Sequence, residues 1–438
     1  MRFVLETLGC KVNQYESQAM ASLLEARGHT RCADGETADC VIVNTCAVTA
    51  ESGRKSRQAV RRLQKQHPGA LTAVCGCYSQ IAGAELDGLG ADLTGGSGSR
   101  LEFLDRLEQM VSDRSPVSLL DDPMARRSFE TLPAGSAEGR TRAMLKIEDG
   151  CVNYCAYCII PYARGPVRSM PPEDIRTEAA RLAAEGFREI VVTGIEISSY
   201  GRERRDGAGL IGALEIMAEA APGVRLHLGS LEPRTVTEEF CLRLKALPGV
   251  CPHFHLSLQS GCDATLARMR RKYDTARFLT SVELLREHFP NCGITTDLIA
   301  GFPGETEEEF SRTMDFIRRC RFSAMHVFPY SRRPGTPADA MPDQVPKAEK
   351  QRRAALAAAA GREMAAAFAS AQTGRTLDVL FETEKDGVWT GHSGNYLETA
   401  VKGSGLRGRV LPVLVTGSSG ALLAGQLAET PKTSEENA

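Results

Sequence analysis

Three thiols crowd one short stretch: Cys151-Val152-Asn153-Tyr154-Cys155-Ala156-Tyr157-Cys158 separates its cysteines by three residues and then by two. A loop with that spacing can turn three sulfurs toward one point, which suits thiolate ligands of a metal centre. The number matters. A structural zinc site normally closes with four protein ligands, whereas three thiolates on a four-iron cluster leave one iron open to a small molecule. Zinc with a distant fourth ligand and a half-buried disulfide framework are the other readings of the same spacing. Gly150 before the loop and Pro161 after it give it firm ends.

The amino-terminal residues 1–112 alternate short apolar runs with helical patterns. Residues 3–8, 40–44 and 71–74 read as strands, and 16–27, 52–66 and 100–111 as helices. That alternation predicts an open parallel α/β sheet, whose strand-end loops converge at one carboxyl edge. Cys10, Cys46 and Cys77 each follow one of these strands, so the fold can gather them at that edge into a second three-thiol site. The competing reading is that each is a small buried apolar residue. Cys75 stands beside the third position as a spare thiol. The helix after Cys46 carries Arg54, Lys55, Arg57, Arg61, Arg62 and Lys65, which is either a solvated face or a phosphate-contacting one.

The 438 residues predict two to four domains, and 42% hydrophobic residues suffice for sizeable cores. A formal charge of −2 requires any nucleic-acid contact to come from local basic patches. Fourteen cysteines with no secretion signal suggest a reducing, cytoplasmic setting with thiols kept for metal. The longest Ala-rich run is broken by Arg362 and Glu363, so no membrane span is expected.

Residues 113–140 lose periodicity and read as a linker. From 141 to 370 strand and helix patterns alternate again in six βα units, predicting a partial, open (β/α)6 barrel with its chemistry at the strand carboxyl ends. Residues 374–428 hold five short strands separated by Gly or Asp turns, a small β-barrel. Residues 429–438 form a polar tail.

The CxxxCxxC loop, with Tyr157 before its last cysteine, resembles the cluster loop of radical S-adenosylmethionine (SAM) enzymes. Leu8-Gly9-Cys10-Lys11-Val12-Asn13-Gln14-Tyr15-Glu16, Asn44-Thr45-Cys46-Ala47-Val48-Thr49 and Gly76-Cys77-Tyr78-Ser79-Gln80 look like the amino-terminal domain of the radical SAM methylthiotransferases. The resemblance implies two 4Fe-4S clusters, on Cys151, Cys155 and Cys158 and on Cys10, Cys46 and Cys77, with Cys77 preferred to Cys75 because the family's motif has Gly before its Cys. It also implies SAM contacts from Tyr157, Gly194, Glu232, Gln259 and Asp297, and leaves Glu196 as a departure from the pattern.

The carboxy-terminal barrel resembles a TRAM domain, an RNA-binding module. Arg54, Lys55, Arg57 and Arg407 are then candidate RNA contacts. The implied reaction is transfer of a methylthio group to C2 of adenosine 37 in the anticodon loop of tRNA, with an electron donor and a sulfur source as further partners. The opening motif, together with Gln259-Ser260-Gly261-Cys262 and the run Arg268 to Tyr273, looks like the branch acting on N6-threonylcarbamoyladenosine. Isopentenyladenosine, a ribosomal-protein aspartate, or a non-enzymatic iron–sulfur RNA-binding role are the alternatives.

Overall fold

The computed structural model describes residues 1–33, 35–111, 113–134, 141–204, 207 and 209–428, so the expected tail at 429–438 lies outside the described residues. The amino-terminal part is a six-stranded parallel sheet in the order β2-β1-β3-β4-β5-β6. Its strands are β1 (Arg2–Thr7), β2 (Thr30–Arg31), β3 (Cys40–Thr45), β4 (Leu71–Gly76), β5 (Leu93–Gly95) and β6 (Val117–Leu119). β3 and β4 are buried along their whole length, as central strands covered by helices on both faces must be. Between the strands run α1 (Lys11–Ala26), α2 (Ala50–Gln66), α3 (Cys77–Asp87) and α4 (Arg100–Gln109).

The reading of 113–140 as a linker is corrected at its start. Val117 and Leu119 of β6 pack against the core that holds Phe3 and Phe103, which draws this stretch into the sheet as its edge strand. A three-residue strand is too short to show a period.

The central part starts with β7 (Arg142–Lys146). A two-strand ribbon, β8 (Glu148–Asp149) and β9 (Arg168–Ser169), clasps the cysteine loop and α5 (Ile160–Arg164) between its strands. Parallel strands β10 (Glu189–Thr193), β11 (Arg225–Leu228), β12 (Ser230–Leu231), β13 (His253–Gln259), β14 (Gly293–Ala300) and β15 (Ala324–Pro329) follow. They form a three-stranded sheet, β11-β10-β7, and a four-stranded one, β12-β13-β14-β15, joined through Gly229. β7 and β15 do not pair, so the barrel is open on one side, in keeping with the expected partial (β/α)6 form.

The last five strands, β16 (Thr376–Lys385), β17 (Val388–Ser393), β18 (Glu398–Lys402), β19 (Val410–Ser419) and β20 (Leu422–Leu427), close into a small barrel. It seats on the amino ends of the central strands. Arg142 at the start of β7 grips Glu382 with two hydrogen bonds of 2.9 and 2.8 Å, and Arg225 at the start of β11 reaches the His392 carbonyl at 3.3 Å.

Candidate metal and cofactor centre

The three amino-terminal cysteines meet because three strands end at one sheet edge. Cys10 immediately precedes α1, Cys46 follows β3, and Cys77 opens α3 directly after β4. A Cβ built on Gly9 would lie 2.8 Å from the Cys46 sulfur, so the first two cysteine turns are in contact. Gly76 has φ +107°, and a Cβ there would stand 2.4 Å from the Thr45 carbonyl, so only glycine lets β4 turn sharply enough to present Cys77. Charge on Cys46 is felt at Cys10, on Cys77 at Cys46, and on Cys10 at Cys77.

Cys75 does not join them. Its side chain lies fully buried in the core with Phe3, Ile42 and Phe103, while Cys77 belongs to the cluster on the other face with Val41 and Ala163. The expected spare thiol is therefore a core residue.

Cys151, Cys155 and Cys158 lie in the loop between the two ribbon strands, with Tyr154 at φ +46°. Burial raises the Cys158 thiol to about 12, neighbouring Cys155 adds to this, and the charge of Cys77 is felt across the interface. Arg164, at the end of α5 that closes this stretch, reaches the Cys77 sulfur at 3.1 Å, so the two triads lie on one interface. All six thiols are free.

Each triad has a guanidinium at one sulfur, and neither arginine was given a role from the sequence. Arg164 is fully buried; its Nε donates to the Cys77 sulfur at 3.1 Å, and its other nitrogens donate to Glu16, Asp149 and Asn13. Arg271 donates to the Cys155 sulfur at 3.2 Å and to the Ser257 carbonyl at 3.2 Å, and lies 3.5 Å from the Tyr157 hydroxyl. The available signal was position: Arg164 closes the cysteine stretch, and Arg271 lies in a basic run.

The proposed SAM residues are arranged unequally. Gly194 follows β10 so close to Glu148 that a Cβ would stand 2.8 Å from its carboxylate. One oxygen of Glu148 and one of Glu196 are buried without a hydrogen-bond partner. The other Glu196 oxygen accepts from Ser199 and, at 3.4 Å, from Asn153. Glu232 is already engaged: its carboxylate takes the Arg234 Nε at 2.9 Å. Gln259 closes β13 at φ +69°, a left-handed conformation that costs energy for any residue with a Cβ.

Asp297 ends a buried chain of imidazoles that the sequence did not suggest. Glu189 holds His227 Nδ1 at 3.2 Å, His227 Nε2 meets His253 Nδ1 at 2.6 Å, and both His253 Nε2 and His255 Nδ1 meet the Thr295 hydroxyl, at 3.0 and 3.1 Å. His255 Nε2 then lies 3.3 Å from Asp297. Among the described residues Glu189, His227 and Cys251 also form the one group of three potential metal ligands with atoms within 4.8 Å of one another. Arg225 already donates to the Glu189 carboxylate at 2.9 Å, so ion pairing and not a metal accounts for that group.

The proposed RNA contacts are not brought together. Arg54 pairs with Glu51 through its Nε at 2.8 Å, and Arg57 with Tyr78 and, at 3.3 Å, Glu85, which leaves Lys55 as the exposed cation of the three without a partner among the described residues. Arg407 is on the carboxy-terminal barrel and lines a cavity that none of the α2 cations reaches.

Residues 145–317 match the model of the Radical SAM superfamily, and residues 2–94 that of Uncharacterized protein family UPF0004. The chain is 38% identical over 406 residues to the threonylcarbamoyladenosine tRNA methylthiotransferase of Bacillus subtilis, covering 91% of this chain and 90% of that one. It is 36% identical to the protein of the same name from Thermotoga maritima, covering 90% of each. A tRNA-2-methylthio-N(6)-dimethylallyladenosine synthase of Symbiobacterium thermophilum is 33% identical, over 99% of this chain and 95% of the relative. The chain belongs to the radical SAM methylthiotransferases.

The fold likeness extends to the radical SAM methyltransferase TsrM of Kitasatospora setae, with a TM-score of 0.56 at 17% identity over 88% of this chain and 79% of that one. Radical SAM methylthiotransferases are transferases that use SAM and two 4Fe-4S clusters. The residues here fit those groups. Each triad offers three free thiols, and each has one guanidinium N–H directed at a sulfur. Desolvation raises the thiols of Cys10, Cys46, Cys77, Cys151 and Cys158, and metal binding there would release protons. The unpartnered carboxylate oxygens of Glu148 and Glu196, flanking Gly194, form a cradle suited to an ammonium group such as that of SAM. Among the described residues no helix is long and apolar enough to cross a membrane.

Proposed function

We propose that this enzyme transfers a methylthio group to C2 of N6-threonylcarbamoyladenosine at position 37 of tRNA. The observation that carries the reading is the pair of cysteine triads on one interface, bridged by Arg164, which ends the helix after Cys158 and donates to the Cys77 sulfur at 3.1 Å. Relatives 38% and 36% identical, named for threonylcarbamoyladenosine, support the choice of base. When bound, the cofactors supply sulfur-binding iron, a methyl group and a 5'-deoxyadenosyl radical, which an adenine C–H requires because it is not acidic enough for ordinary general-base removal.

The chain's own part is to position and to shield. Cys151, Cys155 and Cys158 hold one cluster, and Cys10, Cys46 and Cys77 the other. Arg164 and Arg271 offset thiolate charge in a buried interface where water cannot. Glu148, Glu196 and Gly194 take the ammonium end of SAM, and Tyr157, Gln259 and Asp297 line the rest of its site. Glu232, already engaged by Arg234, positions that loop instead of reaching SAM. The carboxy-terminal barrel serves as the TRAM-like RNA module. An electron donor and a sulfur source complete the reaction, and the cytoplasm is the setting where thiols and tRNA coexist.

The test is mass spectrometry of nucleosides from tRNAs carrying either the threonylcarbamoyl or the isopentenyl group, incubated together with the reconstituted enzyme. Conversion of the threonylcarbamoyl form first is the expected result. Preference for the isopentenyl form overturns the substrate, and absence of any 2-methylthio product overturns the activity.

A further inference from the structure

A cavity of about 370 Å³ opens where the three parts of the molecule meet, walled by Lys11 and Gln14 of α1, Arg142 and His227 of the central strands, and Tyr396 and Arg407 of the small barrel. Lys11 is the residue after Cys10, so one wall of the cavity belongs to the helix that starts at the second triad. Lys11 and Gln14 are exposed to it on one face of the helix, three residues apart.

Lys11 is placed where a cation gains little. It occupies the first turn of α1, and the positive end of a helix dipole disfavours a cation. Burial and the positive charge of Arg142 both disfavour the Lys11 cation, and Glu189, itself engaged by Arg225 and His227, offsets them only in part. Arg142 is itself satisfied by Glu382, at 2.9 and 2.8 Å. Among the described residues the side chains of Lys11 and Gln14 make no hydrogen bond, and Lys11 makes no ion pair. A local arrangement this unfavourable, kept open in a cavity whose wall continues from the Cys10 turn into the central barrel, marks a place for an anion brought by the substrate.

We propose that this cavity receives the threonylcarbamoyl group, with the Lys11 ammonium on its carboxylate and the Gln14 amide on its hydroxyl or urea. The proposal rests on the reading of the substrate given above. It makes Lys11 and Gln14 specificity-determining residues, because an isopentenyl group has nothing to offer either side chain and would leave the ammonium unpaired.

The experiment compares reconstituted wild-type, Lys11→Gln and Gln14→Ala enzymes of matched iron content. Each is measured for affinity and KM on an anticodon stem-loop carrying threonylcarbamoyladenosine, and for affinity on the same stem-loop with plain adenosine. The wild type should bind the modified RNA more tightly, and Lys11→Gln should reduce that preference about 10- to 100-fold, as expected for a lost charge-assisted hydrogen bond. Gln14→Ala should reduce it about 5- to 10-fold. If Lys11→Gln weakens both RNAs equally and lowers the salt slope by about one, Lys11 holds a backbone phosphate and the proposal fails. An undiminished preference in both variants overturns it as well. Should the wild type convert only isopentenyl RNA, the substrate reading falls and takes the proposal with it, an outcome visible before any variant is made.

Discussion

Cys75 and Cys77 differ by two positions and by almost everything physical: one fills the core, the other opens a helix at the triad. Cys77→Ala is expected to remove the second cluster and stop sulfur insertion while SAM is still cleaved to 5'-deoxyadenosine. Cys75→Ala should cost only about 1 kcal/mol of stability, from one small group lost from the core. Iron content and 5'-deoxyadenosine yield read both, and the opposite ranking would reassign the ligand. The imidazole chain makes a second prediction. Burial pushes His227 and His253 below the usual histidine range, and for His253 the neighbouring His227, His255, Lys11 and His392 push the same way. In the unfolded chain these rings take up protons near pH 6.5, whereas in the folded chain they resist. Stability is therefore fully present above about pH 6.5 and falls as the pH drops below it, by up to about 1.4 kcal/mol per pH unit for each ring. Melting temperatures between pH 7.5 and 5.5 should show the decline, and His253→Asn should flatten it.

Among the elements, α2 shows how a charge run in sequence overstates a binding surface. Arg54, Arg57 and Arg62 are drawn to Glu51, Glu85 and Glu6, acids that lie on the same helix, on α3 and on β1. Lys55→Gln should lower the salt slope of tRNA binding by about one, and Arg54→Gln by less, because its guanidinium is shared with Glu51. An unchanged slope in Lys55→Gln would return α2 to a plain solvated face. The strands were readable because buried parallel strands are continuous apolar runs: residues 189–193 and 225–228 were delimited from sequence at the ends the structure gives. α1 was not read to its true start. It begins at Lys11, five residues before the expected position, because Cys10 makes no side-chain cap hydrogen bond and so carries no ordinary start signal. That three thiols share one sheet edge was legible in the strand order, with Cys77 chosen over Cys75 by the family's motif, but Arg164 and Arg271 were not legible, because a buried arginine is identified by its partners and these come from distant segments.

On the scale of the whole molecule, the sole tryptophan, Trp389, is half-buried on β17 of the small barrel, packed against the core of Val379 and Phe381. Its fluorescence should respond to tRNA and not to SAM, and a titration with each ligand checks this; a change with SAM alone would mean that the barrels are coupled. What no local pattern could reveal is how the parts are fastened. Glu16 lies at the centre of that joint, reached by Arg100 at 2.9 Å, Lys146 at 3.2 Å and Arg164 at 2.7 Å, with every member buried. Only Arg100 belongs to the same sheet domain; the other two follow later in the chain. On the ribosome, where domains fold as they emerge at about 5–20 residues per second, the amino-terminal sheet must wait several seconds with its carboxylate only partly neutralised. Within the second triad Cys10 stays exposed while Cys77 is buried with the Arg164 guanidinium on its sulfur, so it is at Cys77 that an arginine translated just after the first triad restricts the approach of iron most.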